Sequence, residues 1–142
     1  MMNSPVCVDA SVVVRLLIDT PETVRVEALW DGWAAAERLI VAPSLLYYEV
    51  TNALYRYERA GHLTGDEVQQ AIHTALALEI RVGSDQGLHL DAAILARRLG
   101  LGATYDAHYL ALSQKLGAEL WTGDRRLAAA VKGTLPFVRS IF

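Results

Sequence analysis

The sequence predicts an α/β fold in which helices pack on both faces of a mostly parallel central sheet. Short apolar stretches of three or four residues recur along the chain, and longer segments with helical spacing of apolar residues separate them. The first stretch, Val6-Cys7-Val8, is apolar at every position. Strands without polar alternation are typical of a parallel sheet that is buried on both faces. The alternation of such strands with helices therefore favours an α/β/α sandwich.

The elements follow one another along the chain as these local patterns indicate. The predicted strands comprise residues 6–8, 39–42, 80–82, 119–122 and 137–139. The predicted helices comprise residues 21–38, 44–60, a segment that starts at 64, and residues 88–99, 105–116 and 124–131. Residues 12–14 belong to a turn or a helix that follows the first strand.

Capping residues mark several of the predicted helix ends. The segment Thr64-Gly65-Asp66-Glu67 has the spacing of a capping box, in which the side chains of the first and last residues bond to each other's backbone. Gly61 and Gly100 each follow a helical run, where glycine adopts the left-handed cap conformation at low cost. Thr104 is placed to cap the helix at 105–116. The apolar stripe of the helix that starts at 64 comprises Val68, Ala71, Ile72, Ala75 and Leu76.

Composition limits the class of protein. The chain has 142 residues, of which 53% are hydrophobic, and this suits one domain with a substantial core. No apolar run reaches the roughly 18 residues of a membrane span. The apolar start lacks a basic leader, so we expect no export. Cys7 is the only cysteine, which favours a reducing, cytoplasmic setting, and we expect it to be a small buried residue rather than a catalytic thiol.

Four acidic residues lie where one edge of the predicted sheet would gather them. Asp9 and Asp124 each follow a strand, so both emerge at the same edge if those strands are parallel and central. Asp106 falls in the first turn of its helix, and Glu49 lies about one turn into the helix after Ser44. Clustered carboxylates repel one another unless some are protonated or a cation joins them. An oxygen-only set suits Mg²⁺ or Mn²⁺ rather than zinc, and none of the four histidines has zinc-ligand spacing.

The net charge of −3 argues mildly against broad nucleic-acid binding. The four clustered acids account for the whole excess of acidic over basic residues, so the placement of charge matters more than the total. Without them, 12 acidic residues face 13 basic ones. A surface of that balance does not repel a polyanion once the four acids are covered by cations.

Each of the four acids lies in a distinctive segment of the sequence: "VDASVVV" from position 8, "YEVTNAL" from 48, "YDAHYLAL" from 105 and "WTGDRRLA" from 121. In this order and spacing the four segments resemble the PIN-domain nucleases, and in particular the VapC-type toxin ribonucleases of toxin–antitoxin pairs. The resemblance implies one PIN-like nuclease domain over residues 1–142. It also implies that Asp9, Glu49, Asp106 and Asp124 form an acidic catalytic and metal-binding site, with the last as an additional or water-mediated ligand. Ser11 and Thr122 match the small hydroxyl positions that support those acids.

The resemblance implies a function as well as a fold. The expected activity is hydrolysis of RNA phosphodiester bonds by a metal-activated water, in the toxin of a type II toxin–antitoxin system. The expected partners are an RNA substrate, a cognate antitoxin and a second copy of the chain. The antitoxin is expected to place an Arg or Lys in the acidic cleft and a helix in a groove between the helices after Pro21 and Ser44.

Basic and aromatic side chains complete the predicted site. Basic side chains position phosphates, and four arginines lie close in sequence to the acids. The candidates for RNA binding are Arg15, Arg56, Arg125 and Arg126. The candidates for base stacking are Tyr47, Tyr48 and Tyr105, with core or interface packing as the alternative for the adjacent pair. The number of aromatic residues on the helices after Pro21 and Ser44 favours a homodimer. These residues are Trp30, Trp33, Tyr47, Tyr48, Tyr55 and Tyr57.

Other functions are compatible with parts of this pattern. A response-regulator receiver needs a lysine after a late strand, but Lys115 and Lys132 lie in helical runs. A haloacid-dehalogenase-type phosphatase needs Asp-x-Asp after the first strand, where this chain has Asp9-Ala10-Ser11. A non-catalytic nucleic-acid-binding module with the PIN fold remains an alternative, as does an RNA-processing nuclease without an antitoxin. Metal-dependent cleavage of RNA separates the enzyme from the binding module.

Overall fold

The chain folds around one parallel sheet, as the sequence predicts. The computed structural model describes residues 3–83 and 85–142, and within these ranges it contains five strands and seven helices. The strands are β1 (Val6–Val8), β2 (Ile40–Pro43), β3 (Ile80–Gly83), β4 (Glu119–Thr122) and β5 (Val138–Ser140). The helices are α1 (Ala10–Leu17), α2 (Thr23–Ala35), α3 (Leu45–Arg59), α4 (Gly65–Ala77), α5 (Gln86–Leu99), α6 (Tyr105–Leu116) and α7 (Arg125–Val131).

The order of the strands is β3-β2-β1-β4-β5, and every described pair is parallel. The chain first moves outward from β1 to β2 and β3, and then returns past β1 to β4 and β5. Because parallel crossovers are right-handed, this reversal places the later helices on the opposite face of the sheet. Consistently, α1 packs against α2, α3 and α4, whereas α5 packs against α6, which lies on β1, β2 and β4. The α/β/α prediction is therefore confirmed.

The central strands are buried because helices cover both faces. Side chains along a strand alternate between faces, and every residue of β1 is fully buried, as expected for a sheet enclosed on both sides. Cys7 belongs to this core, and its burial raises the pKa of the thiol to about 12. A thiol with that pKa is not ionised at neutral pH, which agrees with the prediction of a small buried residue. None of the described helices combines the length and apolar composition that crossing a bilayer requires.

Several predicted boundaries agree with the structure. α6 and β4 have the predicted bounds, the capping box at Thr64 is formed, and Gly100 caps α5 with a φ of 66°. The helix predicted at 21–38 was too long at both ends, because α2 spans Thr23–Ala35. Leu76 was wrongly assigned to the buried stripe of α4, since its side chain is 61% exposed.

Candidate active site

The carboxyl ends of β1 and β4 form the centre of the candidate site. These two strands are neighbours, with Val8 opposite Trp121. The chain adds β2 and β3 on one side of β1, and then adds β4 and β5 on the other side. In open parallel sheets such a reversal opens a crevice at the carboxyl ends of the strands. Asp9 and Asp124 both follow these strands and cap helices α1 and α7 with their side chains. The predicted convergence of these two residues on one edge is thus present.

A hydrogen-bond network holds the carboxylate of Asp9 in place. Both hydroxyl groups that the sequence singled out, those of Ser11 and Thr122, donate to Asp9, and the Val12 N–H donates over 3.3 Å. The hydroxyls are themselves fixed by the turn after β4. Gly123 N donates to Ser11 Oγ over 2.7 Å, and the next backbone N–H, at residue 124, donates to Thr122 Oγ1 over 2.9 Å. The network therefore joins the β1–α1 turn to the β4–α7 turn.

Glu49 is oriented by a residue that the sequence analysis missed. The hydroxyl group of Tyr109 donates a hydrogen bond of 2.6 Å to Glu49 Oε1, which links α6 to α3. Tyr109 is fully buried, and this burial, together with the hydrogen bond to Glu49 and its charge, raises the pKa of the phenol. The phenol therefore remains protonated and can only donate to the carboxylate. Its position three residues after Asp106, on the same helical face, was the only available signal in the sequence.

The charges of neighbouring carboxylates contribute to raised pKa values at Asp9 and Asp106. Burial raises the pKa of Asp9 to about 6, against the opposing effect of its hydrogen bonds, and the charge of Asp106 raises it further. The pKa of Asp106 is also raised, first by burial and then by the charges of Asp124 and Glu49. Each acid is thus close enough to another for its charge to matter. The edge of the sheet carries concentrated negative charge, as the sequence predicts.

No basic side chain neutralises this charge in the described part of the chain. The ion pairs there join Arg15 to Glu22, Lys115 to Asp85, and both Arg38 and Arg139 to Glu119. Within residues 3–83 and 85–142, no three acidic, histidine or cysteine side chains converge closely enough to form a finished metal site. The donor set nevertheless fits a hard divalent cation, because its ligands are all oxygen atoms and its charge lacks a counterion.

Two of the candidate RNA-binding arginines have defined contacts at this edge. Arg15 donates to the Ser11 carbonyl over 2.8 Å and to Glu22 over 3.2 Å, so much of its charge is already engaged. The Arg125 guanidinium lies 3.7 Å from the centre of the Phe142 ring. This cation–π contact holds Arg125 beside the turn that carries the last of the four acids.

The other two arginines differ in their distance from the acids. Arg126 is exposed, and its backbone N–H donates to the Asp124 carboxylate, so the two residues are neighbours in space. Arg56 is also exposed, but it lies two helical turns beyond Glu49, which is about 10 Å along α3. Arg126 is therefore better placed than Arg56 to contact a phosphate at the acids.

A groove of about 660 Å³ lies beside α3, one of the two helices expected to form the antitoxin groove. It runs between the end of α1, α3 and α4, and Leu17, Tyr57, Leu63 and Ala71 contribute to its walls. Helix α1 packs against both α2 and α3. The binding of an antitoxin helix between the helices after Pro21 and Ser44 stays a prediction.

Comparison with known proteins identifies the family. The PIN domain profile matches residues 6–133. Ribonuclease VapC3 of Pyrobaculum aerophilum is 35% identical over 123 residues, which cover 85% of this chain and 90% of that protein. The crystal structure of PAE2754 from the same organism has a TM-score of 0.71 at 24% identity, over 97% of this chain and 90% of the other.

A toxin–antitoxin complex from Klebsiella pneumoniae has a TM-score of 0.69 at 18% identity, over 96% of this chain and 98% of the matched one. At these identities the two solved structures establish a shared fold. The profile match covers most of the chain, and the match to the relative that is 35% identical covers 85% of it. The protein therefore belongs to the PIN-domain family.

Proposed function

We propose that this protein is a divalent-metal-dependent endoribonuclease and the toxin of a type II toxin–antitoxin pair. The observation that carries the proposal is a set of four neighbouring carboxylates, two that follow β1 and β4 and two on α3 and α6, which no described basic side chain neutralises. Membership of the PIN family and the similarity to ribonuclease VapC3 support the choice of RNA as substrate. The toxin–antitoxin complex among the structural neighbours supports the biological role.

The residues of the site divide into those that hold a cation and those that hold the ligands. Asp9, Glu49 and Asp106 would bind the cation, and Asp124 would act as a further or water-mediated ligand. When bound, Mg²⁺ or Mn²⁺ lowers the pKa of water and stabilises charge on the phosphate oxygens. Hydrolysis then forms a bond from the water oxygen to phosphorus, breaks the ester bond, and leaves the departing oxygen protonated.

The remaining side chains fix the geometry of this reaction. The hydroxyls on Asp9 and the phenol on Glu49 orient these carboxylates without neutralising them. Arg125 and Arg126 would bind phosphates on either side of the scissile bond, because both follow Asp124 directly at the start of α7. Arg15 would act mainly through its contacts with Ser11 and Glu22, and Arg56 would contact RNA farther from the reaction.

The experiment that tests the activity compares three proteins on a structured RNA. The wild type is expected to cut within the RNA in Mg²⁺ or Mn²⁺ and to stop in EDTA. Asp9→Asn removes one proposed ligand charge with little change in shape and is expected to lose at least 100-fold in rate. Asp91→Asn is the matched control, because Asp91 is an exposed acid on α5, and it is expected to cut normally. Cleavage that survives in EDTA or in Asp9→Asn would refute the assignment.

The antitoxin and the homodimer require their own tests. Co-expression with the product of the neighbouring gene is expected to yield an inactive complex, and a nuclease that no neighbouring product inhibits would have a role in RNA processing instead. The homodimer is supported by Tyr55, an aromatic residue on α3 that is 50% exposed. Light scattering at micromolar concentration is expected to give twice the monomer mass, and Tyr55→Arg is expected to shift it towards the monomer.

A further inference from the structure

A second cavity lies beside the acids, at the carboxyl ends of β2 and β3. It has a volume of about 260 Å³ and is bordered by Pro43 and Gly83, the last residues of these two strands. Its side walls include two tyrosines and two histidines, and we call it the tyrosine–histidine pocket: Tyr48, His89, Tyr105 and His108. None of these four residues belongs to the acidic site described above.

The pocket shares two helices with the acidic site. Tyr48 directly precedes Glu49 near the start of α3, and Tyr105 directly precedes Asp106 at the start of α6. Consecutive residues on a helix point about 100° apart, so each tyrosine faces away from the acid that follows it. The pocket is therefore adjacent to the acids but separate from them. Consecutive Cα atoms are about 3.8 Å apart, so the backbone of each tyrosine lies one residue's length from an acid of the site.

The two tyrosine rings have faces that are free to stack. Tyr48 is 76% exposed and Tyr105 is 60% exposed. Among the described residues, no aromatic ring packs on either of them and no group hydrogen-bonds to their hydroxyls. Exposed aromatic faces on a cavity are the feature with which proteins bind unpaired nucleobases, because every base offers a π face.

The two histidines form an ordered hydrogen-bonded pair at the other side of the pocket. His108 Nδ1 lies 2.7 Å from the Thr104 carbonyl oxygen, which can only accept, so this nitrogen carries the proton. In the neutral ring, His108 Nε2 is then an acceptor and receives the Nδ1–H of His89 over 2.9 Å. This arrangement leaves His89 Nε2 as an acceptor with a fixed ring orientation. A pocket with stacking faces and an oriented acceptor suits the face and edge of a base.

We propose that the tyrosine–histidine pocket, placed directly beside the four carboxylates, is a subsite for one unpaired nucleobase of the RNA strand that is cleaved there. The proposal rests on the proposed ribonuclease function and adds to it a source of sequence or loop selectivity. A small cavity that shares its helices with the acids fits a base of the bound strand better than a helix of a protein partner. The base next to the scissile phosphate is expected to stack on Tyr105.

The test measures how much each enzyme depends on that base. Hairpin RNAs are prepared in which each loop nucleotide near the cut is replaced in turn by a reduced abasic residue. For the wild type, one position is expected to lower kcat/KM by about 5- to 150-fold, which is the range for loss of one stacked base. Tyr105→Ala is expected to have a kcat/KM on the intact RNA that is lower than the wild type's by a similar factor. For this variant, replacing the intact RNA by the abasic RNA is expected to lower kcat/KM by less than a further factor of about 2.

Two control variants separate stacking from other effects. Tyr105→Phe keeps the ring and is expected to retain the wild-type ratio between intact and abasic RNA. Tyr55→Ala removes an exposed tyrosine from α3 outside the pocket and is expected to retain the same ratio, even where light scattering shows a change in assembly. A Tyr105→Ala enzyme with the wild-type ratio overturns the proposal. The proposal is also overturned if Tyr105→Ala loses only its affinity for an antitoxin, because the pocket would then bind a protein side chain.

Failure of the ribonuclease function is distinguished by a binding measurement. Fluorescence anisotropy is recorded with Asp9→Asn, in which one repelling charge at the acids is absent, on the intact and the abasic hairpins. One outcome is that the wild type cuts no RNA while Asp9→Asn binds the intact hairpin more tightly than the abasic one, and the added change Tyr105→Ala removes this difference. In that case the subsite is supported and only the catalytic assignment fails. Equal binding of the two hairpins by Asp9→Asn overturns the subsite.

Discussion

Asp9→Asn is expected to stabilise the metal-free protein while it abolishes activity. Burial raises the pKa of Asp9 from its usual 3.8 to about 6, so the folded state bears a cost for the ionised carboxylate. That difference corresponds to about 3 kcal/mol of lost stability at neutral pH. The amide retains one acceptor oxygen for Ser11 and Val12, but its NH₂ group faces the Thr122 hydroxyl, which donates in the wild type, and this costs about 1 kcal/mol. The net gain of about 2 kcal/mol predicts a rise in Tm of about 4–8 °C at pH 7.5.

The pH dependence of this gain follows from the sign of the pKa shift. Above about pH 6, Asp9 is ionised in both the folded and the unfolded chain, and the wild type bears the full burial cost. As the pH falls from about 6 to about 4, the folded wild type takes up a proton before the unfolded chain does, which restores its stability. Below about pH 4 both states are protonated, and this advantage of the variant disappears.

Thermal unfolding between pH 3.5 and 8, with and without Mg²⁺, measures both effects. Mg²⁺ is expected to bind only the folded wild type and therefore to raise its Tm at pH 7.5, with a much smaller effect on Asp9→Asn. Asp91→Asn is the control, because this exposed acid on α5 lies outside the site, and it is expected to unfold like the wild type at every pH. The reasoning is refuted if Asp9→Asn is less stable than the wild type at pH 7.5, or if Mg²⁺ stabilises both proteins equally.

Three further predictions test individual contacts. Tyr109→Phe deletes the 2.6 Å hydrogen bond to Glu49 and is expected to raise the Mg²⁺ concentration for half-maximal cleavage about 10-fold with the fold retained; unchanged metal dependence would contradict this role. Gly123→Ala places a Cβ 2.8 Å from Arg15 Nη1 and is expected to cost about 1–2 kcal/mol in urea unfolding, a loss that should shrink in an Arg15→Ala background. Thr64→Ala removes the side-chain cap of α4 and is expected to cost about 1 kcal/mol without changing activity.

The sequence predicted elements well where their ends depend on local chemistry. α6 ends at Gly117, which has a φ of 64°, and α5 ends at Gly100, so glycine marks both boundaries in the sequence itself. The end of α2 was not predicted correctly because its cap has the same left-handed conformation at a residue other than glycine. Glu37 has a φ of 54°, and the Arg38 N–H bonds back to the Trp33 carbonyl over 2.9 Å, as in a Schellman cap. A residue other than glycine in this conformation leaves no signal in the sequence.

Contacts between distant parts of the chain account for the other misses. Trp30 and Trp33 were counted as surplus aromatic surface that favoured a dimer. In the structure they form a cluster with Trp121 of β4, with ring centres 5.7 and 5.9 Å apart, and Trp33 is buried. Tyr109 was passed over for the same reason, since only the approach of α6 to α3 brings its hydroxyl to the carboxylate. Periodicity predicts which face of a helix is apolar, but not which helix it meets.

The way in which the acids are held explains how the site can carry so much unneutralised charge. Asp9 and Asp124 accept hydrogen bonds from backbone N–H groups at the starts of α1 and α7, and Asp106 lies in the first turn of α6. The partial positive charge of a helix start favours a carboxylate there. Glu49 lies one turn into α3, and it accepts a hydrogen bond from the phenol of Tyr109 instead of from a helix start. All these donors are neutral groups, which orient a carboxylate and leave most of its charge in place, whereas a lysine or arginine would cancel it. The fold thus keeps the four acids close together without a cationic partner among the described residues, and the raised pKa values of Asp9 and Asp106 reflect the cost of this arrangement.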